Sequence, residues 1–135
     1  MLDLVLVLRY RKAVTYGFNT LLAALEEHET PVRYEVRFAT SVDACAAEIR
    51  RATAIAGRTL VLWSFYSPDA EQLAAELAGI KSAAPGATHA AGGVHATAEP
   101  EQTLDAGWDV AAAGEGETTL LRLVDAAGRC GRGGV

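Results

Sequence analysis

Residues 2–8 read Leu-Asp-Leu-Val-Leu-Val-Leu, and residues 59–63 read Thr-Leu-Val-Leu-Trp. A strand with one wet face alternates apolar and polar side chains; these two runs hardly alternate at all. Strands covered on both faces look like this, and a sheet built from them is parallel with helices packed on either side. The first run is also too short to cross a bilayer, and no positive segment precedes it. It is read as a buried strand, and no membrane partner is expected.

Strands are predicted over 2–9, 32–40, 59–64, 87–92 and 108–112. The stretches between them carry helical spacing. Phe18, Leu21, Leu22 and Leu25 recur at i, i+3, i+4 and i+7, as do Val42, Cys45, Ala46 and Ile49. Leu73, Ala74, Leu77 and Ile80 form a third apolar stripe, and Leu120, Leu121, Val124 and Ala127 a last one. Ser41 is the expected N-cap of the second helix, Ser67-Pro68 that of the third, and Pro100 opens a short fourth. Five consecutive βα units imply a doubly wound five-stranded parallel α/β sheet with helices on both faces. The flavodoxin-like (Rossmann-like) strand order 2-1-3-4-5 is expected.

At 135 residues, half of them hydrophobic, the chain suits one domain with a real core. Its net charge of −5 gives no basic footprint for nucleic acid. The one local cluster, Arg9, Arg11 and Lys12, is too small for such a role. The two cysteines, Cys45 and Cys130, have no CxxC or CxxxCxxC spacing, so this chain alone builds neither a zinc site nor an iron–sulfur cluster. Cys45 falls on a helical stripe and is expected to be a buried thiol, and a reducing cytoplasm is the expected compartment. Residues 1–127 are read as the domain, and 128–135 as a tail or linker.

Ligands of open parallel sheets bind beyond the carboxyl ends of the strands, so the loops there are the candidates. After strand 1 comes a long basic loop with Tyr10, Arg11 and Lys12; it either cradles an anionic or amide-rich ligand or is a solvated rim. After strand 3, Ser64-Phe65-Tyr66-Ser67-Pro68 puts hydroxyls and aromatics at the ligand's entrance, with Ser67 also readable as a cap. After strand 4, Gly92-Gly93-Val94-His95-Ala96-Thr97 lets backbone come close to a bulky group; His95 touches a ligand or satisfies a loop carbonyl. After strand 5, Gly114-Glu115-Gly116-Glu117-Thr118 leads into a helix N-terminus. Its amides would favour phosphate but its carboxylates would repel it, so hydroxyl or amide groups suit it better.

Taken together, Gly92-Gly93-Val94-His95-Ala96-Thr97-Ala98-Glu99-Pro100-Glu101 and Gly114-Glu115-Gly116-Glu117-Thr118-Thr119-Leu120 resemble the N-terminal cobalamin-binding domain found ahead of a radical S-adenosylmethionine domain. The resemblance covers essentially the whole chain. It implies a corrinoid-binding module whose slot for the cofactor's nucleotide tail is lined by Ser64, Gly92, Gly93, His95, Gly114, Glu115 and Gly116. Phe65 and Thr118 join these as candidate contacts, and the corrin ring would lie near Tyr10 and Arg11. It further implies a radical S-adenosylmethionine domain in cis, possessing the iron–sulfur cluster and S-adenosylmethionine that this chain lacks, with methyl transfer as a candidate reaction. No catalysis is expected from this fragment alone.

Many cobalamin-binding domains carry Asp-x-His-x-x-Gly after strand 1, whose histidine ligates cobalt. The histidines here are His28, His89 and His95. Cobalamin is therefore expected without a histidine ligand from the strand 1 loop. The alternative is a flavodoxin-like domain that has lost corrinoid binding and serves docking or substrate recognition; a cleft plugged with side chains would mark it. A phosphoacceptor receiver needs acids where Arg9-Tyr10 and Ser64 stand, and a dinucleotide-binding domain needs G-x-G-x-x-G after strand 1.

Overall fold

The computed structural model describes residues 2–11, 15–65, 67–112 and 116–129, with backbone alone at 15–17, 67, 94, 95 and 127–129. The elements run β1 (Leu2–Arg9), α1 (Thr15–Glu27), β2 (Tyr34–Ala39), α2 (Val42–Ile55), β3 (Ala56–Ser64), α3 (Ala70–Ala83), β4 (Thr88–Gly92), α4 (Val94–Ala98), α5 (Pro100–Asp105), β5 (Val110–Ala111) and α6 (Gly116–Arg129). The five strands form one sheet in the order β2-β1-β3-β4-β5, and every pairing is parallel. This is the doubly wound, flavodoxin-like architecture that the uninterrupted apolar runs require.

The alternation of β1 explains the two layers. Val5 and Val7 point to one face, where α2 and α3 pack with Cys45, Ile49, Leu73, Leu77 and Ile80. Leu4, Leu6 and Leu8 point to the other, against Phe18 and Leu25 of α1 and Leu120 and Val124 of α6. All of these side chains are buried. Each fully buried Val or Leu contributes about 1.5–3 kcal/mol by removal from water, so β1 is the axis of the fold.

Several boundaries differ from those expected. Strand β3 starts at Ala56, because Leu2 pairs with Ala56 and Leu4 with Arg58. Strand β5 shrinks to two residues. Trp108 turns into the core instead, edge-on to Trp63 at 5.7 Å between ring centres. Ser41 caps α2 as expected, its Oγ accepting from the Ala44 N–H at 3.1 Å. Ser67 does not cap α3 directly: Ser67–Asp69 is a 3-10 turn, and Asp69 holds the cap position without a side-chain bond. The region after β4 is not a plain loop, for Val94–Ala98 winds into one helical turn ahead of α5. Helix α6 continues past Ala127 to Arg129. No described helix is long and apolar enough to cross a membrane.

Candidate functional site

Right-handed crossovers put α2 and α3 on one face of the sheet and leave α1 and α6 alone on the other. The two helices pack on each other, α6 over β1 and β3 and α1 through Phe18 and Leu25 against the leucines of β1, and α6 reaches them from β5 at the sheet edge. The space beneath that return path, over the ends of β3, β4 and β5, is a cleft of about 440 Å³. Its floor is Leu62, Ser64, Ala90, Gly92, Gly93 and Ala112; its walls are Thr20 and Leu21 of α1 and Gly116, Glu117, Thr119, Leu120 and Leu123 of α6. Such a volume is in the ordinary range for small-molecule sites.

The cleft exists because its strand-end residues are small. Ala90, Gly92 and Ala112 stand where larger side chains would close it. A Cβ added to Gly92 would meet nothing nearer than the Ala112 Cβ at 4.0 Å. Gly93 is constrained differently. Its φ of +97° is one that L side chains rarely adopt, and a Cβ there would stand 2.9 Å from the Ser64 Oγ. Only glycine lets the chain turn this sharply beside β3. At the other wall, Gly116 lies so near α1 that an added Cβ would be 3.4 Å from the Leu21 Cδ2.

Chemically the cleft is an apolar slot with a polar mouth. Among the described residues its side-chain polar groups are chiefly the Thr20, Ser64 and Thr119 hydroxyls and the Glu117 carboxylate, and none of the described lining residues is cationic. The described lining offers a free phosphate no counter-charge. An uncharged, flat group flanked by hydroxyls or amides is better matched.

The expected site residues divide accordingly. Ser64, Gly92, Gly93 and Gly116 line the cleft. Gly114 and Glu115 lie outside the described residues, and for His95 the backbone alone is placed, in α4 just past Gly93. Thr118 is exposed on α6 and is not among the lining residues. Phe65 is buried on the opposite face, its ring 4.9 Å from that of Trp108; its backbone, not its ring, is near Gly93. Tyr10 packs edge-on against Phe38 at 6.0 Å. Arg11 donates from Nη2 to the Asp69 carboxylate at 3.1 Å, tying the end of β1 to the turn before α3, while its Nη1 is buried without a partner. Glu117, read in the loop after strand 5, does line the cleft, whereas the helix-side residues Leu21, Thr119, Leu120 and Leu123, and the floor residues Leu62, Ala90 and Ala112, escape a reading of loops alone. Small residues at the ends of consecutive strands were the signal for the floor.

Around this site the buried polar groups are mostly structural. Arg9, nearly buried, donates from Nη2 to the Glu76 Oε1 at 2.8 Å and crosses from β1 to α3. Beside it, burial pushes the Cys45 thiol up to about 11, with Arg9 acting weakly in the opposite direction. Cys45 is therefore an inert core thiol. His89 accepts from the Trp63 indole N–H at 3.0 Å on Nδ1. Burial, helped by Lys81 and opposed by Asp109, lowers its imidazole to about 4. Among the described residues no three His, Cys, Asp or Glu side chains converge as a metal site.

A second groove, about 530 Å³, runs between α3 and α5 on the opposite face, over Ala70, Ala74, Ala106 and Trp108 with Glu71, Glu99 and Gln102 beside them. It is the larger in volume, but it does not reach the glycine turns at the strand ends, so the smaller cleft is the better candidate site.

The family described as B12 binding domain matches residues 3–124. No protein with a curated description matches the chain. Among solved structures, the N-terminal domain of a hypothetical protein from Thermotoga maritima is 28% identical, over 85% of this chain and 82% of its own length, with a TM-score of 0.47.

Proposed function

The chain belongs to the B12-binding domain family, and from that premise we propose that it holds a corrinoid by its nucleotide tail, inserted into the α1/α6 cleft, for use by a radical S-adenosylmethionine domain in cis. The observation that carries the tail site is the open cleft at the ends of β3, β4 and β5, floored by Gly92, Gly93 and Ala112. A side-chain plug there would favour the alternative, a domain that has lost its ligand and serves docking; no described side chain fills the space.

In this reading the chain's work is binding and orientation. The Ser64, Thr20 and Thr119 hydroxyls meet polar groups at the cleft mouth, and the leucines of α1 and α6 exclude water from the bound base. Gly114, Glu115 and His95 are proposed as further contacts on the strength of the two sequence motifs. Tyr10 and Arg11 stand at the end of β1, where the ring would rest. The corrinoid, when bound, supplies alkyl- or methyl-transfer chemistry that no protein side chain can provide.

The three histidines bear on the metal. His89 is in the core, bonded to Trp63, and His28 is bonded to Asp125 beyond the far end of α1. The strand 1 loop contains no imidazole. In the proposed binding mode no histidine of that loop would hold the cofactor's metal. The catalytic partner rests on the motif resemblance; methyl transfer is its proposed reaction and a reducing cytoplasm its proposed compartment.

The test is direct. Purified chain is mixed with hydroxocobalamin, desalted, and its visible spectrum recorded. Near-stoichiometric corrinoid eluting with the protein is the expected result; protein free of corrinoid overturns the proposal. For the catalytic partner, the coding sequence after residue 135 is expected to contain CxxxCxxC, and an uninterrupted gene without it overturns that part.

A further inference from the structure

Strand β2 is one border of the sheet, and its ladder with β1 fixes which backbone groups look outward. The Arg33 C=O accepts from the Leu4 N–H at 3.2 Å, and the Ala39 C=O from the Tyr10 N–H at 2.8 Å. The odd-numbered residues thus turn their amides towards β1. Successive residues of a strand turn theirs in opposite directions. Tyr34, Val36 and Phe38 therefore present N–H and C=O groups at the open border, where no described strand pairs with them. Natural sheet edges are blunted by proline, a bulge or brevity. Strand β2 has six residues, no proline and an unbroken register with β1.

The sequence along this edge is its own complement. From either end, Tyr34-Glu35-Val36-Arg37-Phe38 runs aromatic, charged, aliphatic, charged, aromatic, and the two charges are opposite in sign. We infer that β2 pairs antiparallel with β2 of a second copy of this chain, about a two-fold axis at Val36. In that register Val36 faces the partner's Val36 and Tyr34 faces the partner's Phe38. Both are hydrogen-bonded pairs, and they satisfy every outward N–H and C=O of the three residues. Glu35 faces the partner's Arg37 in the closer, non-hydrogen-bonded pairs, where opposite charges stabilise. Moving the axis to Glu35 or to Arg37 would set that residue against its own copy, so charge selects the register.

The two faces of the strand agree with this pairing. Tyr34 and Val36 lean on the leucine layer under α1. Phe38, 53% exposed, stands against Tyr10 on the same side, and the partner's Tyr34 would cover it. Glu35 and Arg37 lie on the α2 side, where the Arg37 Nε donates to the Glu48 Oε2 at 2.9 Å while 39% of the arginine side chain stays exposed. Antiparallel pairing sends the glycine-lined ends of the two sheets in opposite directions. Each copy's cleft stays open, and the inference is independent of the corrinoid reading.

Sedimentation velocity of the purified chain from about 1 to about 500 µM is expected to show a monomer–dimer equilibrium. Glu35→Lys, at an exposed position, sets like charges across the strands and is expected to weaken the dimer at least about tenfold. Val36→Pro removes an outward N–H without touching the β1 ladder and is expected to act in the same direction. Arg37→Glu alone is also expected to be monomeric. An equimolar mixture of Glu35→Lys and Arg37→Glu chains is expected to dimerise again, because the altered charges then face each other and the unaltered Glu35 and Arg37 do so too. Thermal melting establishes that each variant is folded; should Arg37→Glu be unfolded beside Glu48, Glu35→Lys and Val36→Pro decide. A parent chain that stays monomeric throughout the range overturns the inference. A dimer that tolerates both Glu35→Lys and Val36→Pro overturns it by placing the interface elsewhere. A mixture of folded variants that does not dimerise overturns it as well.

Discussion

The Trp63 indole N–H donates to the His89 Nδ1 at 3.0 Å, joining neighbouring strands β3 and β4 inside the core. Indole nitrogen can only donate, so His89 must present an unprotonated Nδ1 and carry its proton on Nε2. A second proton would set donor against donor in a site that is 1% exposed. Burial, with Lys81 adding to it, drives the imidazole down to about 4.

A pH dependence follows. The folded state resists protonation at His89 until about pH 4, while the unfolded chain protonates near the ordinary 6.5. Between those values the unfolded state binds more protons, so stability is complete above about pH 6.5 and falls as pH drops towards 4. A shift of this size corresponds to about 3 kcal/mol. Denaturant unfolding at pH 7 and pH 4.5 measures it. In His89→Gln, whose amide oxygen can still accept from Trp63, the acid loss is expected to shrink; an unchanged acid loss would contradict the assignment.

The Arg9–Glu76 pair is nearly out of water on both sides, with 8% and 18% of the side chains exposed. Removing one partner of such a pair strands a charge, at a cost of about 3–5 kcal/mol when fully buried. Glu76→Gln is expected to lower stability by about 3 kcal/mol, because the Arg9 Nε already lacks a partner. The double variant Arg9→Met with Glu76→Leu should lose less than Glu76→Gln alone. Urea midpoints decide; a double variant that is the less stable of the two speaks against a desolvation cost.

At the cleft, Gly93→Ala imposes both an unfavourable φ and a contact with Ser64. The backbone alone costs about 1–2 kcal/mol for a residue with a Cβ. Thermal melting is expected to fall by several degrees, since 1 kcal/mol moves a domain of this size by about 2–8 °C. A variant as stable as the parent would mean that the turn does not need glycine.

The sheet was legible because β1 and β3 are nearly unbroken Val and Leu, a pattern with one physical explanation. The helices followed from their stripes, and Ser41 was found from its position before one. What stayed hidden has equally physical causes. The residues Ala56, Gly57 and Arg58 carry no apolar signal, and they join β3 only because β1 extends alongside. A five-residue turn such as α4 is shorter than any period that could announce it. Phe65 was readable as a ligand contact until its stacking on Trp108 placed it in the core. For the cleft, periodicity tells which face of α6 meets the sheet but not that α1 and α6 stop short of covering the ends of β3 to β5. So Leu120 and Leu123 read as plain core. The glycine pair at 92 and 93 was the visible part of that site, since no side chain stands there to fill it.

Gly92 offers the most direct measurement. It shares the cleft face with Ala90, and an added Cβ meets only an ordinary contact, so Gly92→Leu should fold and project into the space proposed for the nucleotide tail. With melting temperature matched to the parent within a few degrees, titration with hydroxocobalamin is expected to show affinity at least about a hundredfold weaker, roughly 3 kcal/mol. Equal affinity in Gly92→Leu and the parent would mean that the corrinoid, if held, is held elsewhere, and the account of this cleft would be wrong.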